Sequence, residues 1–328
     1  MNNYWQIASG SYGRNFSKIF IESGIAFVGE QRYIDIIQTI KDGDRILLKE
    51  GKTIKAVGIA ETRNGKVSGY GDLKFLNDID GWSMPGYCFV KYSLPDSPIN
   101  ESALTRASIT AIHKPEVIQI VDDLLLTLKP NLNCSQLPDA TNDIKDMQII
   151  EELIKFGLSS SRAKEVTDQI FKIRLLASYY YNNVKWNDVR EHETRSFLVV
   201  PLLLALGWPE QNIKIEYPNP AGKINIAIFK KPYIDKSTSE ADCAIIIETK
   251  GFDKGLDFAF QQAENYSRHL PNLEVVVLSN GYCYKIFKKH EQIWQLNSYI
   301  NLLSPQNNYP IFPSIPGALN VFQNLLPK

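Results

Sequence analysis

The chain has 328 residues, of which 44% are hydrophobic, and it carries 36 basic and 36 acidic side chains. This length is sufficient for two or three domains with ordinary hydrophobic cores. The balanced charge excludes a basic polyelectrolyte, so a nucleic-acid partner would have to be bound by local groups, such as Lys230 with Lys231 or Lys285 with Lys288 and Lys289.

The cysteines and the amino terminus indicate the cellular compartment. The 4 cysteines are far apart and include no Cys-x-x-Cys pair, which is typical of reduced thiols in a cytoplasmic protein. The first residues do not resemble a signal peptide, and no apolar run is long enough to cross a bilayer. We therefore expect a cytoplasmic protein with no membrane partner.

The first third of the chain is rich in short strands separated by turns. The strand-like segments are 4–7, 24–29, 45–49, 54–61 and 87–92. Short strands at this spacing predict a small β-barrel. The segment Gly51-Lys52-Thr53 suggests a phosphate loop, but Ile46 stands where the first glycine would be, and strands flank the segment. We therefore expect no ATP site.

This part of the chain resembles the PUA superfamily, in particular EVE and related base-reading domains. The matching segments are 4–8, 24–27, 40–48 and 56–61. The resemblance implies a domain that binds nucleic acid and holds a flipped, modified base, such as a modified cytosine, in an aromatic pocket. The candidates for stacking on the base are Trp5, Tyr12 and Trp82, whereas Phe27 and Tyr87 fit the core of the barrel better. Because the superfamily acts on both DNA and RNA, an RNA-binding protein stays an alternative.

Helical patterns fill the middle of the chain. Residues 115–128 have apolar side chains at helical spacing, and a linker that contains prolines follows them. Two further helical patterns cover 143–156 and 160–181. We therefore predict a base-reading domain (1–128), a helical connector (129–185) and a carboxy-terminal domain (186–328), which together make a multidomain α+β protein.

The carboxy-terminal domain alternates helices and strands in a way that is typical of an α/β fold. The pattern predicts a helix over 197–206 that Gly207 and Pro209 stop, strands over 223–229 and 242–250, a helix over 258–266, and strands over 273–278 and 282–287 around the turn Ser279-Asn280-Gly281.

The strand over 242–250 ends in an acidic and a basic residue, Glu248 and Lys250. The two-residue period of a strand places both side chains on one face. A carboxylate there can hold a divalent cation, and a lysine can orient a water molecule and stabilise charge on a phosphate. An exposed ion pair is the simpler interpretation of Glu-x-Lys alone. Asn225 of the preceding strand lies beside Glu248 if the two strands form a hairpin.

Residues from about 186 to 328 resemble a PD-(D/E)xK nuclease domain, in particular the amino-terminal nuclease of type I restriction subunits and its stand-alone relatives. The matching segments, in order, are 191–195 with 201–208, 223–225, Glu248-Thr249-Lys250, Gln262 with Tyr266, and 279–281. The resemblance implies the restriction-endonuclease-like fold and hydrolysis of DNA with Mg²⁺.

The same resemblance assigns a role to each matching side chain. Residue 225, Glu248 and the carbonyl of Thr249 would hold Mg²⁺, and Lys250 would position the water. The other catalytic candidates are Glu191, with Glu193 as a second choice, and Gln262. Gln262 and Tyr266 would brace the site, and both would contact the nucleic-acid backbone.

Position 225 departs from the pattern of the resembled family, which has an aspartate there. An amide is neutral and cannot supply the negative charge that a magnesium site requires. Either this site has lost its activity, or an Asp-to-Asn change, which keeps the shape and removes the charge, has been introduced deliberately.

The two resemblances together imply a modification-dependent DNA endonuclease of a restriction system that defends against viruses. We expect double-stranded DNA with a modified base as the partner, Mg²⁺ as the cofactor, and a homodimer, because cutting both strands requires two active sites. The alternative is a catalytically inactive nucleic-acid sensor.

Overall fold

The computed structural model describes residues 2–10, 13–129, 143–185, 188–315 and 317–327. The chain forms two compact units, Met1–Ala140 and Thr141–Lys328. Each unit has its own sheet, with eight strands in the first and six in the second. The fold is therefore mixed α+β with more than one domain.

The first unit is built on a curled, half-barrel sheet. Its elements are β1 (Tyr4–Ala8), α1 (Ser17–Ser23), β2 (Ile25–Val28), α2 (Gln31–Ile37), β3 (Arg45–Glu50), β4 (Thr53–Ala60), β5 (Ser68–Tyr70), a 3-10 turn (Lys74–Asp78), β6 (Gly86–Ser93), β7 (Ile99–Asn100), β8 (Ile109–Ala111) and α3 (Pro115–Thr127). The strands pair in the order β2-β6-β4-β3-β1-β8, with β5 against β6 and β7 against β4. Each of the five strand-like segments of the sequence corresponds to a strand.

The hairpin of β3 and β4 forms the centre of this sheet. The chain reverses at Gly51, whose φ of 59° lies in the left-handed region that glycine adopts without a Cβ clash. Gly51 of the Gly51-Lys52-Thr53 segment is thus a turn residue between two antiparallel strands. Helix α3 covers the hairpin with Val117 and Val121, which are one helical turn apart and pack in one apolar cluster with Leu47.

The second unit combines helices with a mixed sheet. Its elements are α4 (Asp146–Lys155), α5 (Ser160–Asn183), α6 (Glu191–Glu193), a π-helical turn (Thr194–Val199), α7 (Val200–Ala205), a 3-10 turn (Glu210–Asn212), β9 (Ile213–Asn219), β10 (Gly222–Phe229), α8 (Lys236–Ser239), a 3-10 turn (Glu240–Asp242), β11 (Cys243–Thr249), α9 (Ala259–Ser267), β12 (Val275–Ser279), β13 (Cys283–His290), β14 (Ile293–Asn301) and α10 (Asn320–Leu325). The strand order is β14-β13-β12-β11-β10-β9.

Strand β11 is the buried centre of this sheet. All seven of its residues are buried, which fits its run of small and β-branched apolar residues. It pairs antiparallel with β10, as the sequence predicts, and parallel with β12. A parallel pair requires a crossover connection, and α9 provides it and packs on both strands. Helix α9 therefore lies where β11 ends.

The helices α4 and α5, which the sequence suggests as a connector, pack in the core of the second unit. Ile149 and Leu153 of α4, and Val166 and Ile170 of α5, have no exposed surface, and they belong to the same apolar cluster as the sheet. The predicted boundary at residue 186 therefore falls inside this unit. The physical reason is that apolar side chains at helical spacing need a partner face, and α5 packs against α4, α7 and the π-helical turn.

Two general properties of the chain complete the description. Cys88, Cys243 and Cys283 are free and buried, and Cys134 lies outside the described residues. None of the described helices has both the length and the apolar character that crossing a bilayer requires.

Candidate functional site

Asn225 and Glu248 lie side by side at the end of β11. Ile226 of β10 is paired with Ile247 of β11. Because the two strands are antiparallel, Asn225, which precedes Ile226, lies opposite Glu248, which follows Ile247. The side-chain Oδ1 of Asn225 accepts a hydrogen bond of 2.8 Å from the backbone N–H of Thr249. The hairpin predicted from the sequence therefore brings position 225 to the Glu248 strand end.

A chain of hydrogen bonds connects Glu248 to helix α9. The Nζ of Lys250 donates to Oε1 of Glu248 at 2.5 Å and to Oε1 of Gln262 at 3.1 Å. The Nε2 of Gln262 donates to the hydroxyl of Tyr266 at 2.7 Å. Gln262 and Tyr266 are four residues apart, so they share one face of the helix. The structure thus brings four of the predicted site residues together.

Burial dominates the electrostatics of Glu248. The residue is 2% exposed, and this desolvation raises the pKa of its carboxyl group to about 7 although Lys250 acts to lower the pKa. The negative charges of Glu191 and Glu216 raise the pKa further. The Oε2 atom of Glu248 is buried and has no hydrogen-bond partner among the described residues. Glu248 therefore holds a partly unsatisfied acceptor in a place where a cation would be stabilised.

The helix before β9 adds a second group of charged side chains. Arg195 lies in the π-helical turn, is buried, and donates from Nη1 to Oε1 of Glu216 on β9. Its Nη2 lies 2.9 Å from Nδ1 of His192. Glu191, at the start of α6, is half-buried, and it acts electrostatically on Glu248. Glu193 has a buried Oε2 without a partner among the described residues.

The donors at this strand end fit a divalent cation in type but are short of negative charge. Glu248 offers a carboxylate oxygen, and hard cations such as Mg²⁺ prefer oxygen ligands. Asn225 offers only an amide oxygen, which already accepts the Thr249 N–H. Within the described ranges, no group of three His, Cys, Asp or Glu side chains is arranged to share a metal ion.

The base-reading candidates of the first unit differ in their surroundings. Trp82 follows a tight turn in which Asp80 (φ 48°) and Gly81 (φ 85°) adopt left-handed conformations, and Ile79 and Trp82 exchange backbone hydrogen bonds across the turn. Its indole ring is half-buried, with the Arg14 guanidinium 4.2 Å from the ring centroid. The buried Arg14 thus covers one face of the ring, and the ring lies next to a short turn.

Trp5 lies on β1, and its indole nitrogen is already engaged. Its Nε1 donates to Oδ2 of Asp44 at 2.9 Å, and Asp44 also accepts from the backbone N–H groups of Asn3 and Lys41. Only the half-buried ring of Trp5 could therefore stack on a base. Tyr12 lies outside the described residues. Phe27 and Tyr87 are 3% and 0% exposed, which confirms that they belong to the core.

The lysines that the sequence suggests as surface patches are mostly in ion pairs. Lys285 is 3% exposed and its Nζ contacts Asp257 Oδ1 at 2.7 Å, so it does not contribute to a surface patch. The reason is that its position on β13 faces the loop before α9. Lys230 and Lys231 are exposed, but they pair with Glu274 and Asp242.

The sequence analysis missed Glu216. Its strand, β9, is an edge strand that the analysis did not identify. The segment Ile213–Asn219 alternates apolar and polar residues over its first five positions, which is the pattern that could have revealed it.

The raised pKa of Glu248 predicts that this carboxyl destabilises the second unit as the pH rises. The Glu248 carboxyl binds its proton more tightly in the folded state than in the unfolded state, where its pKa has the ordinary value of 4.5. Its stabilising effect is therefore complete below pH 4.5 and is lost as the pH rises through about 7. The difference in free energy of unfolding between Glu248→Gln and the unsubstituted chain should increase by about 2–3 kcal/mol from pH 5 to pH 8, in favour of the variant.

The measurement is amide hydrogen exchange of β11 in increasing urea, at both pH values and with a chelator present to remove divalent cations. The chelator matters because a bound cation would stabilise the charged form of Glu248. Parallel pH profiles of the two proteins would contradict the prediction.

Comparison with known proteins does not identify a family. No protein-family model matches the chain, and no curated protein matches it. A crystal structure of protein Atu2648 from Agrobacterium tumefaciens is similar at 15% sequence identity over 37% of this chain and 92% of that chain, with a TM-score of 0.25. We base no argument on a similarity of this size, and the resemblances described from the sequence stay predictions.

Proposed function

We propose that this chain is a DNA endonuclease of a restriction system, in which the second unit hydrolyses a phosphodiester bond and the first unit reads a modified base. The observation that supports the proposal best is the hydrogen-bonded group of Glu248, Lys250, Gln262 and Tyr266 at the end of β11. It places a buried acid with a free acceptor atom beside a positioned ammonium group, which is an arrangement suited to attack on a phosphate.

Each side chain of this group has a definite task in the proposed reaction. The Lys250 ammonium orients the attacking water and stabilises the charge that develops on the phosphate oxygens. Gln262 and Tyr266 hold that ammonium at a fixed position, which reduces the reorganisation required during the reaction. Glu248, the Thr249 carbonyl and residue 225 would hold Mg²⁺, which stabilises the attacking and leaving oxygens when it is bound.

The proposed partner is double-stranded DNA that carries a modified base. The first unit presents the ring of Trp82, with Arg14 over it, from a short turn. Aromatic and guanidinium planes stack on extruded bases, and this is how base-reading pockets bind them. A homodimer would supply the two active sites that cutting both strands requires.

A second candidate function is nucleic-acid binding without cleavage. The observation that favours it is the neutral amide of Asn225 next to Glu248. With one carboxylate in place of two, the strand end attracts a divalent cation less strongly. In that case the second unit would hold the DNA backbone, and the chain would act as a sensor.

The first experiment concerns the charge at position 225. Asn225→Asp should cut DNA in the presence of Mg²⁺, because it adds a negative charge without a change of shape. In that background, Glu248→Ala or Lys250→Ala should reduce the cleavage rate roughly 100-fold or more, the scale of losing one electrostatic contact to the transition state. The measurement is cleavage of modified and unmodified duplexes, followed on gels.

Two results would decide against hydrolysis at this site. Cleavage that survives Glu248→Ala would place the active site elsewhere. DNA binding without cleavage, even in the Asn225→Asp protein, would support the sensor function.

The second experiment concerns Trp82. Trp82→Ala should weaken binding to modified duplex by about 1–3 kcal/mol, the scale of losing one stacked base. Tyr33→Ala is a matched control, because Tyr33 is also half-buried in the first unit with an arginine, Arg32, 4.5 Å from its ring centroid. Affinities are measured by calorimetry on the full chain, and circular dichroism checks the fold.

The control variant should bind as the unsubstituted chain does. If the unsubstituted chain binds modified and plain duplexes equally, or if Trp82→Ala and Tyr33→Ala behave alike, the reading role of Trp82 is wrong. A Trp82→Ala protein that unfolds would assign this tryptophan to the core.

A further inference from the structure

Glu216 lies on the strand next to Asn225, on the side away from Glu248. On β10 and β9, Ile224 pairs with Tyr217, and Ile226 pairs with Ile215. The register between these two pairs places Glu216 opposite Asn225. Asn225 is in turn opposite Glu248 on β11, as the pair Ile226 with Ile247 requires. The three positions therefore form one row of neighbours across β9, β10 and β11, and the left-handed backbone of Glu216 interrupts the regular pairing at its own position.

The backbone of Glu216 is strained. Its φ is 53°, in the left-handed region, which residues with a long side chain adopt rarely. Such a conformation is energetically unfavourable and persists only where the surroundings enforce it. Strained residues of this kind cluster at functional sites. Nothing about an edge strand by itself requires a glutamate with this conformation.

The carboxylate of Glu216 is held by a buried counter-ion. Arg195, which is 5% exposed, donates to its Oε1. The Glu216 side chain retains 41% of its accessible surface, so a ligand can reach it from solvent.

The group that these charges face has an unsatisfied atom. Glu248 is 98% buried and its Oε2 has no hydrogen-bond partner among the described residues. A buried acceptor that finds no donor is costly unless a ligand completes it. The second carboxylate, Glu216, is paired with the Arg195 guanidinium, so its negative charge is balanced by a side chain that a cation would have to replace.

We propose that Glu216 supplies the second carboxylate of the cation site, in place of the neutral side chain at position 225. The inference rests on the proposed function, because it concerns the cation that the same strand end would hold. Glu248 and Glu216 are the charged ligands, and Asn225 between them orients the Thr249 peptide. Arg195 neutralises Glu216 until a divalent cation exchanges with it.

The test is binding of Mn²⁺ alone to the full chain, measured by titration calorimetry. Mn²⁺ accepts the oxygen ligands that suit Mg²⁺. The unsubstituted chain should bind the ion, and Glu216→Gln should weaken binding at least roughly tenfold, the lower end of the loss that even an outer partner of a metal ligand causes. Glu216→Gly should do the same. It removes the carboxylate and also relieves the backbone, because glycine tolerates a φ of 53°.

The matched control is Glu274→Gln. Glu274 is also a partly exposed glutamate, and it forms an ion pair with Lys230. Its backbone N–H donates to the carbonyl of Ala244, so it lies at the opposite end of β11. This variant should bind Mn²⁺ as the unsubstituted chain does. Circular dichroism tests whether each variant is folded. If Glu216→Gln is unfolded, the Mn²⁺ affinity of Glu216→Gly decides the test.

The proposal is overturned if a folded Glu216 variant binds Mn²⁺ with unchanged affinity, or if the Asn225→Asp protein binds the ion and the unsubstituted chain does not. The outcome is separable from the proposed function. Binding that requires Glu216 without any DNA cleavage would uphold the cation site and contradict the endonuclease. DNA cleavage together with Mn²⁺ binding that does not depend on Glu216 would support the endonuclease and contradict the role of Glu216 in the cation site.

Discussion

The ion pair of Glu248 and Lys250 is the interaction on which the second unit's candidate site depends. Strand β11 has no exposed residue, because β10 and β12 flank it and apolar layers cover it. A carboxylate at the end of such a strand loses its hydration, and the attraction of Lys250 only partly offsets that loss. The pKa of about 7 shows that desolvation and the repulsion from other acids outweigh the ion pair. The candidate site is therefore built around a carboxylate whose charged form the surrounding fold stabilises poorly.

This imbalance gives a physical interpretation of Asn225. An aspartate there would place a second negative charge beside Glu248 and would raise the cost of folding without a cation. The amide avoids that cost and still accepts the Thr249 N–H. In the proposed cation site, an amide that lowers the cost of folding would thus also weaken cation binding, which is the usual conflict between stability and activity at functional positions.

The sequence predicts the parts of this arrangement that follow from local periodicity. The β10–β11 hairpin follows from two alternating apolar runs, and the contact between Gln262 and Tyr266 follows from their spacing of four on a helix. The position of Glu216 beside Asn225 does not follow from local pattern, because it depends on which strand pairs with β10 and on a left-handed backbone. The burial of Lys285 was not predictable either, since it depends on Asp257 from a distant loop. Helices α4 and α5 form as the pattern predicts, but which apolar surface covers them is decided by tertiary packing.

The hydrogen bond between Asn225 and Thr249 separates geometry from charge at this site. The accepting atom is a side-chain oxygen, which asparagine and aspartate share at the same position. Either residue can therefore fix the peptide between Glu248 and Thr249, and with it the direction of the Glu248 carbonyl. What differs between them is one unit of charge in a place where Glu248 is already desolvated. Because shape is held constant, differences in cation binding between the two side chains measure electrostatics alone. If Glu216 supplies the second carboxylate as proposed, the row of Glu216, Asn225 and Glu248 keeps its order across the three strands while the second charge lies on the edge strand and not at the middle position.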